Sequence, residues 1–238
     1  GSDAGLVYVV PGILLICAAV GMVSGIGVTV FKVPPFIMTM AVGIIVYSLC
    51  LGFTQGTPRG YPAPSLSDLM QARLFGVPAP VYLLLVFVAF GTVLQSFSTF
   101  GRKLNAVGDN PLAAYIAGLP SGVLTMSAYA LSALFAGFTG IMLAGYANGA
   151  TLRMGDAYLL PSIAAVVVGG SSILGGKGNF LGTVGGALLL TTLAMILTAM
   201  GLEQGWKTIM EGAVILLALI ALREQSFLAL QHWMGRRS

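Results

Sequence analysis

The segment from Ser171 to Gly178 (SSILGGKG) is the nearest approach to a phosphate-binding motif in this sequence, because its Gly-Gly-Lys run could cradle phosphate groups. A phosphate loop begins with glycine and places serine or threonine directly after the lysine. Here those two positions hold Ser171 and Gly178, and no strand pattern precedes the segment. We therefore expect a tight glycine turn here instead of a phosphate loop.

The residues that could act as nucleophiles, acids or metal ligands are too few and too scattered for catalysis. No Gly-x-Ser-x-Gly elbow occurs, and the single histidine, His232, lies near the C-terminus, so no catalytic triad can be assembled. Cys17 and Cys50 both lie inside apolar runs, where unreactive buried thiols are the usual case. The sequence predicts no catalytic residue, no metal site, no cofactor and no enzymatic activity.

The amino-acid composition indicates whether water or lipid surrounds the chain. Of the 238 residues, 57% are apolar and only 8% are charged, whereas about a quarter of the residues of a soluble domain carry a charge. So few charges cannot cover a soluble globule, and we expect mostly lipid around the chain. The 11 basic residues form no run longer than two, which argues against a nucleic-acid partner.

Seven apolar stretches lie between the charged residues, and most reach the roughly 20 residues that a helix needs to cross a bilayer. They are residues 6–31, 33–54, 80–100, 121–147, 157–175, 179–202 and 205–222. The fifth contains Pro161 and the Gly169-Gly170 pair, so we interpret it as broken or partly re-entrant. The last includes Lys207 and Glu211 near its start. The predicted fold class is an all-α polytopic transmembrane helical bundle with these seven spans.

The basic residues predict the orientation of the spans, because cytoplasmic loops carry an excess of Lys and Arg. One side holds Lys32, Arg102, Lys103, Lys177, Arg223, Arg236 and Arg237, and the other holds Arg59, Arg73, Arg153 and Lys207. We place the first side in the cytoplasm. The prediction is a transmembrane domain over residues 1–222, followed by a cytoplasmic basic tail over residues 223–238.

An odd number of spans with a cytoplasmic C-terminus puts the N-terminus outside. Residues 1–5 show no initiator methionine, no charged n-region and no cleavage pattern of a signal peptide. We therefore expect that further sequence upstream brings this end across the membrane, and that the chain is the C-terminal part of a larger membrane protein.

Small residues four positions apart predict where helices approach closely. They are Gly21 and Gly25, Ala136 and Gly140, and Gly178, Gly182 and Gly186. Polar residues also punctuate the third and fourth spans, namely Gln95, Ser96, Ser98, Ser127, Tyr129, Ser132 and Thr139. These side chains could contact a polar substrate, but we favour hydrogen bonds between helices. The sequence therefore assigns no substrate-path residue.

The connection over residues 101–120 (GRKLNAVGDNPLAAYIAGLP) is built like a short helix between two spans. Asn110 can cap its N-terminus, and Pro111 suits the first helical position. Gly118 supplies a left-handed stop, and Pro120 prevents continuation. The pattern predicts a helix of about two turns with a large apolar face and a smooth alanine face. The first face holds Leu112, Tyr115 and Ile116, and the second holds Ala113, Ala114 and Ala117.

This short helix has two interpretations. A small-residue face allows close approach by another protein, so the segment could be a docking element. Alternatively, the segment is a turn in the lipid headgroups, with Arg102 and Lys103 on anionic lipid. The local pattern leaves both open.

Three motifs in a fixed order give the chain a resemblance to a known family. The first is Gly101-Arg102, Ala106-Val107-Gly108, Asn110, Ala113-Ala114 and Gly118; the second is Asp156-Ala157, residues 163–170, residues 175–178 and Gly182-Thr183; the third is residues 33–37. From residue 28 to residue 222 the sequence resembles the permeases of bacterial ABC importers for monosaccharides, the group for ribose, galactose, xylose and autoinducer-2. Asn105 and Asp109 depart from the family pattern, which often has an aromatic residue and glycine there.

The resemblance implies a permease domain over residues 1–222 that moves a ribose-like monosaccharide across the bacterial inner membrane by alternating access. It also implies three partners: a cytoplasmic ATP-binding subunit, a second permease subunit that is identical or different, and a periplasmic sugar-binding protein. The ATPase would dock on the coupling segment, whose family-matching residues are Gly101, Arg102, Ala106, Gly108, Asn110, Ala113, Ala114 and Gly118. Family members have more spans than are predicted here, so N-terminal spans would be missing.

An ion-coupled secondary transporter of a small polar solute is the alternative function. Such carriers use an acidic or histidine relay at mid-membrane depth. Glu211 is the one acid within a predicted span, and pairing with Lys207, four residues away, explains it more simply. We therefore expect the ATP-driven class.

Overall fold

The structure, a computed structural model, is largely helical over the residues that it describes. These are residues 3–57, 61–172, 175–176, 178–201, 203, 205–206, 208–210, 212–214 and 216. The helices in chain order are α1 (Asp3–Thr29), α2 (Pro35–Thr54), α3 (Pro64–Gln71), α4 (Ala79–Thr92), α5 (Thr99–Asp109), α6 (Pro111–Ile116), α7 (Ser121–Tyr146), α8 (Leu159–Val168) and α9 (Phe180–Ala199). The smaller elements are a π-helical turn (Val93–Phe97), a 3₁₀ turn (Asp156–Tyr158) and an antiparallel hairpin of β1 (Arg73–Leu74) with β2 (Val77–Pro78).

Five segments are long and apolar enough to cross a membrane. They are Gly5–Thr29, Pro35–Thr54, Ala79–Phe97, Ser121–Tyr146 and Phe180–Ala199. Few of their side chains are buried within the chain, and none is charged, so hydrocarbon is the solvent that suits them. They confirm the all-α transmembrane class and match the first, second, third, fourth and sixth predicted spans.

The fifth predicted span, residues 157–175, does not form one crossing helix. α8 has only 10 residues and is therefore about 15 Å long, half of a ~30 Å hydrocarbon layer. It stops because Gly169 closes its last turn and Gly170 takes a left-handed φ of 80°. The interruption predicted at this glycine pair is confirmed.

The seventh predicted span, residues 205–222, lies partly outside the described residues, and the predicted tail over residues 223–238 lies wholly outside them. The residues described between 205 and 216 are helical. One of them, Val214, packs against Ala164, Ala165 and Leu190. This segment therefore lies beside α8 and α9.

Glycines allow the closest contact between α1 and α7, which run antiparallel. Gly21 lies against the backbone of Tyr129 and Ala130, and Gly25 lies against Met126. A Cβ atom at Gly25 would be 2.8 Å from Cα of Met126, which is too close for any larger side chain. The close packing that the Gly21–Gly25 spacing predicted is confirmed.

Glycines also join α8 to α9. Gly182 lies against Gly169, and Gly186 lies against Ala165. Two successive turns of α9 therefore rest on the backbone of α8, as the spacing of these glycines predicted. Gly178, the first member of the predicted triplet, precedes α9 and packs elsewhere.

The predicted contact at Ala136 and Gly140 is wrong within this chain. Both residues are exposed on α7. Apart from the neighbouring backbone of α7 itself, no heavy atom of the described structure lies within 4 Å of the place where a Cβ of Gly140 would be. The spacing leaves a smooth face of α7 uncovered instead of filling a contact.

The connecting elements divide between two ends of the bundle. The inner end holds α5, α6 and the glycine segment (the described residues of 169–179), next to the end of α1 and the start of α7. The outer end holds α3, the hairpin and the loop after α7, where Leu66 and Met70 pack on Gly145. Lys32 and the Arg102–Lys103 pair lie at the inner end, the end predicted to be cytoplasmic.

Candidate functional site

The predicted coupling segment, residues 101–120, is entered by a helix that the sequence did not predict. Ser98 is extended and caps α5, because its Oγ accepts a hydrogen bond from the backbone N–H of Gly101 at 3.0 Å. Gly101, Asn105 and Gly108 are poor helix formers, so intrinsic propensity did not indicate this helix. The cap and tertiary packing stabilise it instead.

The second helix, α6, has the ends that the sequence predicted. The side-chain oxygen of Asn110 accepts hydrogen bonds from the backbone N–H groups of Leu112 and Ala113, at 3.1 and 3.0 Å. Gly118 has a left-handed φ of 78°, and the N–H of Leu119 donates back to the carbonyl of Ala114 at 3.0 Å. The predicted short helix and both of its stops are therefore confirmed.

The structure assigns the two faces of α6 differently from the prediction. Ala114, on the smooth face, is buried against Val107 and Leu124 of the same chain, so it is not open to another protein. Ala113 and Ala117 are exposed, as is the large apolar face, where Leu112, Tyr115 and Ile116 are 69%, 71% and 76% exposed. Helix α6 packs inward through a small residue and presents large residues outward.

The eight predicted coupling residues thus occupy two environments. Gly101 and Ala114 are buried, whereas Arg102, Ala106, Gly108, Asn110, Ala113 and Gly118 are exposed. Arg102 has a partner within the chain, because its guanidinium donates to the carbonyl of Phe97 at 3.3 Å. The buried members shape the segment, and the exposed members lie at its surface.

The glycine segment packs directly on α5, and this contact joins two of the three sequence motifs. A Cβ atom at Gly108 would lie 2.9 Å from the backbone nitrogen of Gly176, and one at Gly175 would lie 3.0 Å from the carbonyl of Gly108. Gly175 and Gly176 have left-handed φ values of 96° and 84°. The expected tight glycine turn is confirmed at these residues, whereas Lys177 lies outside the described residues.

Buried polar groups order the chain between the glycine segment and α9. Asn179 caps α9 by accepting from the N–H of Gly182 at 3.0 Å. Ser171, which is 7% exposed, accepts from the N–H of Asn179 at 3.0 Å and lies 3.3 Å from the hydroxyl of Thr183. The sequence analysis assigned no such role to Ser171 or Asn179, although asparagine before an apolar run is an N-cap signal.

Gln95 makes the hydrogen bond between helices that the sequence predicted for it. Its side-chain oxygen accepts from the backbone N–H of Phe180 at 2.7 Å, across 85 residues of sequence. Ser127 and Thr139 differ from this prediction, because their hydroxyls donate to Leu124 and Phe135 of their own helix. Serine and threonine can reach back to the preceding turn, which satisfies them locally.

The outer end carries the exposed charges. Arg153 donates to the carboxylate of Asp156 at 2.7 Å, and both side chains are largely exposed. The hydrogen bond and the negative charge of Asp156 raise the pKa of the Arg153 guanidinium. Among the described residues, no three His, Cys, Asp or Glu side chains lie close enough to hold a metal ion.

The five apolar segments and the two motifs at the inner end define a polytopic α-helical membrane protein. Residues 2–219 match the family described as branched-chain amino acid transport system / permease component, and the chain belongs to this family. Its members are permease components rather than enzymes, and the chain is a multi-pass protein of the bacterial inner membrane.

Three relatives confirm the resemblance to sugar permeases. The chain is 35% identical to the galactose/methyl galactoside import permease protein MglC of Escherichia coli (strain K12) over 217 residues, which cover 87% of the chain and 65% of that relative. It is 32% identical to the ribose import permease protein RbsC of Escherichia coli (strain K12) over 225 residues, 92% of the chain and 70% of the relative. It is 33% identical to RbsC of Bacillus subtilis (strain 168) over 206 residues, 85% of the chain and 64% of the relative.

The chain therefore spans about 65% of the length of the MglC protein that it matches. No solved structure matches it.

Proposed function

We propose that the chain is part of the membrane-spanning permease subunit of an ATP-binding-cassette importer, and that this importer carries a monosaccharide into the cell. Membership of the permease family supports the transport class. The family description refers to branched-chain amino acids, but the relatives described above are permeases for galactose, methyl galactoside and ribose. A sugar of the ribose or galactose type is therefore the substrate class that we propose.

The exposed apolar face of α6 is the observation that supports a docking role most directly. Leu112, Tyr115 and Ile116 are about 70% exposed, and the helix that carries them is capped at both ends. A short helix fixed in place with large side chains outward suits insertion into a groove of a partner protein. We propose that the ATPase subunit docks on this face, which replaces the smooth alanine face considered from the sequence.

The contact between α6 and the rest of the inner end supports the coupling part of the proposal. Ala114 packs on Val107 of α5 and on Leu124 of α7. Gly108 of α5 packs in turn on the glycine segment that leads into α9. A force applied to α6 would therefore reach α7 directly, and α9 through α5 and the glycine segment.

The proposed complex also contains a second permease subunit and a periplasmic sugar-binding protein. Exposed small residues on α7, namely Ser132, Ala136 and Gly140, leave room for a second subunit to approach closely. The binding protein would meet the outer end. The described residues of the outer end that carry exposed charge include Asp68, Arg73, Arg153 and Asp156.

An ion-coupled carrier is less well supported. The five membrane-crossing segments contain no Asp, Glu, His, Lys or Arg, so no proton relay can be drawn within them. Glu211 and Lys207, the pair considered from the sequence, lie outside the described residues. A separate ATPase therefore remains the energy source that we propose.

The docking face is tested by co-purifying the complete permease with its ATPase subunit. The change Ile116→Glu places a charge on the apolar face of α6 and is expected to lower the recovered ATPase about tenfold, a loss typical of a central interface residue. The matched control is Met200→Glu, because Met200 is 69% exposed at the outer end of α9. Unchanged recovery with Ile116→Glu would refute docking and favour a helix in the lipid headgroups.

The transport class is tested with proteoliposomes that contain the complete importer and its binding protein. We expect ribose or galactose to accumulate when ATP is enclosed, and leucine to leave this uptake unchanged. Accumulation driven by a proton or sodium gradient without ATP would establish the alternative carrier class. Uptake of leucine instead of sugar would refute the proposed substrate class.

A further inference from the structure

Gln95 lies where three parts of the inner end meet. It belongs to the π-helical turn over Val93–Phe97, which follows α4 directly. The turn closes with a hydrogen bond from the N–H of Ser98 to the carbonyl of Val93 at 3.0 Å, and Ser98 then starts α5. A π-turn disrupts the regular helical register and often marks a functional site.

The side chain of Gln95 reaches α9 rather than its own helix. Its oxygen accepts from the N–H of Phe180 at 2.7 Å. Phe180 is the first residue of α9, so this N–H has no acceptor within its own helix. The amide nitrogen of Gln95 faces Gly178, where an added Cβ atom would lie only 2.7 Å away. Glycine at position 178 therefore gives the glutamine its room.

Phe180 is also held by α4 through its ring. The ring lies against Gly91, where a Cβ atom would lie 2.9 Å from a ring carbon. The ring centroid is 6.5 Å from that of Phe87. The backbone of Phe180 thus binds the π-turn while its side chain binds α4, so the start of α9 has two attachments to the third span.

The backbone of Gln95 carries the third contact. Gly101, in the first turn of α5, lies so close that a Cβ atom there would be 2.7 Å from the carbonyl carbon of Gln95. Ser98 fixes this approach by accepting from the N–H of Gly101 at 3.0 Å. A displacement of α5 therefore moves the π-turn, and the π-turn is bonded to α9.

We propose that Gln95 is a positioning residue that joins the docking helices α5 and α6 to the third span and to α9, so that ATP-driven movement of the docking helices shifts both spans together. This inference rests on the proposed import function. Glutamine suits the role because its side-chain oxygen supplies an acceptor for the N–H of Phe180. Leucine has a similar size but no acceptor, whereas glutamate keeps one.

The test measures sugar uptake per ATP hydrolysed by the complete importer in proteoliposomes. For Gln95→Leu we expect this ratio to fall about tenfold, within the usual range of coupling between two sites, while assembly with the ATPase and the KM for sugar are retained. Gln95→Glu is expected to restore the ratio to within about twofold. The matched control is Thr92→Val, since Thr92 bonds only to Val88 of the same helix in the described contacts.

A second experiment probes the hydrogen bond between Gln95 and Phe180 directly, by measuring amide hydrogen exchange in the complete permease. The N–H of Phe180 is expected to exchange about tenfold faster in Gln95→Leu than in the unchanged protein or in Thr92→Val. Unchanged exchange at Phe180, or an unchanged ratio of uptake to ATP hydrolysis, would overturn the inference. Failure of Gln95→Glu to restore the ratio would overturn it as well.

The exchange measurement also separates this inference from the proposed function. If the unchanged importer takes up no sugar with ATP, the proposed function fails, and exchange at Phe180 still decides whether Gln95 holds α9. If Gln95→Leu does not assemble, Gly178→Ala replaces it, because the added Cβ displaces the Gln95 amide. That variant must lower the ratio and speed exchange at Phe180, or the inference is refuted.

Discussion

The inner and outer ends of the bundle are held by polar contacts of different range. At the inner end, Gln95 bonds to Phe180 across 85 residues of sequence, and Gly108 packs on the backbone of Gly176. These contacts involve backbone atoms, which cannot change rotamer to accommodate a shift. The inner end therefore behaves as one unit assembled from distant parts of the chain.

At the outer end, the polar contacts are local. The hydroxyl of Tyr82 donates to the carbonyl of Leu74, eight positions away, at 3.1 Å, and Arg153 pairs with Asp156 three positions away. Each of these polar contacts steadies one loop, and the distant contact at this end is apolar, where Leu66 and Met70 of α3 pack on Gly145 of α7. We therefore expect changes to the polar contacts of the inner end to affect several spans, whereas changes to the polar contacts of the outer end affect one loop.

The largest expected effect comes from filling one of the tight inner contacts. In Gly101→Val, the added side chain would overlap the carbonyl groups of Leu94 and Gln95, so we expect the free energy of unfolding to fall by about 3 kcal/mol. Denaturant titration in mixed micelles measures it. Gly149→Val is the outer-end control, because its Cβ would meet open space. Equal losses of unfolding free energy in Gly101→Val and Gly149→Val would contradict the expected difference between the two ends.

A smaller effect is expected at the helix cap of α6. Asn110→Ala removes the acceptor for the N–H groups of Leu112 and Ala113 and should cost about 1 kcal/mol of unfolding free energy. Asn110→Asp keeps an acceptor and should cost much less. At the outer end, the N-cap residue of α3 is Ala63, which provides no side-chain hydrogen bond. If aspartate proves as harmful as alanine, the cap does not stabilise the inner end.

A change of opposite sign is expected at the outer hairpin. Phe75 is fully exposed at the turn and has a left-handed φ of 51°, which phenylalanine adopts only with strain. Phe75→Asn should therefore raise the unfolding free energy by about 0.5 kcal/mol, with Phe75→Ala as the control that keeps the strain. A loss of stability in the asparagine variant would show that Phe75 is packed against lipid or a partner.

The smallest effect is expected at the outer ion pair. Asp156→Asn removes the partner of Arg153, but both side chains are largely exposed. We therefore expect no measurable change in the free energy of unfolding, at low or at high salt concentration. The raised pKa of Arg153 contributes stability that is lost only when pH rises through that value, far above neutrality. A clear loss at neutral pH would mean that the outer end is less local than its contacts indicate.

Local signals account for what the sequence predicted correctly. Apolar runs gave five spans their positions, because hydrocarbon requires long uncharged helices. Asn110, Pro111 and Gly118 marked the ends of α6, since capping depends on residues within one turn. The pair Gly169-Gly170 marked the end of α8 for the same reason.

Predictions that needed a distant partner were less complete. The sequence identified Gln95 as a helix-bonding residue but not Phe180 as its partner, which lies 85 positions away. It identified two faces of α6 and considered docking through the alanine face, because the pattern of the helix does not reveal that Val107 of α5 and Leu124 of α7 cover Ala114. It also missed α5, whose glycines lower helix propensity and are retained for close packing.

The amino-acid sequence by itself determined that this protein is a membrane bundle of apolar helices, and it determined where α6 begins and ends. These features depend on solvent and on neighbouring residues, both of which can be read along the chain. Only the tertiary structure decided which face of α6 is exposed, and that Gln95 and Gly101 connect α5 to α9. Those features depend on contacts between separate elements, because Ala114 packs on α5 and α7 and Gln95 accepts a hydrogen bond from Phe180 of α9 across 85 residues of sequence.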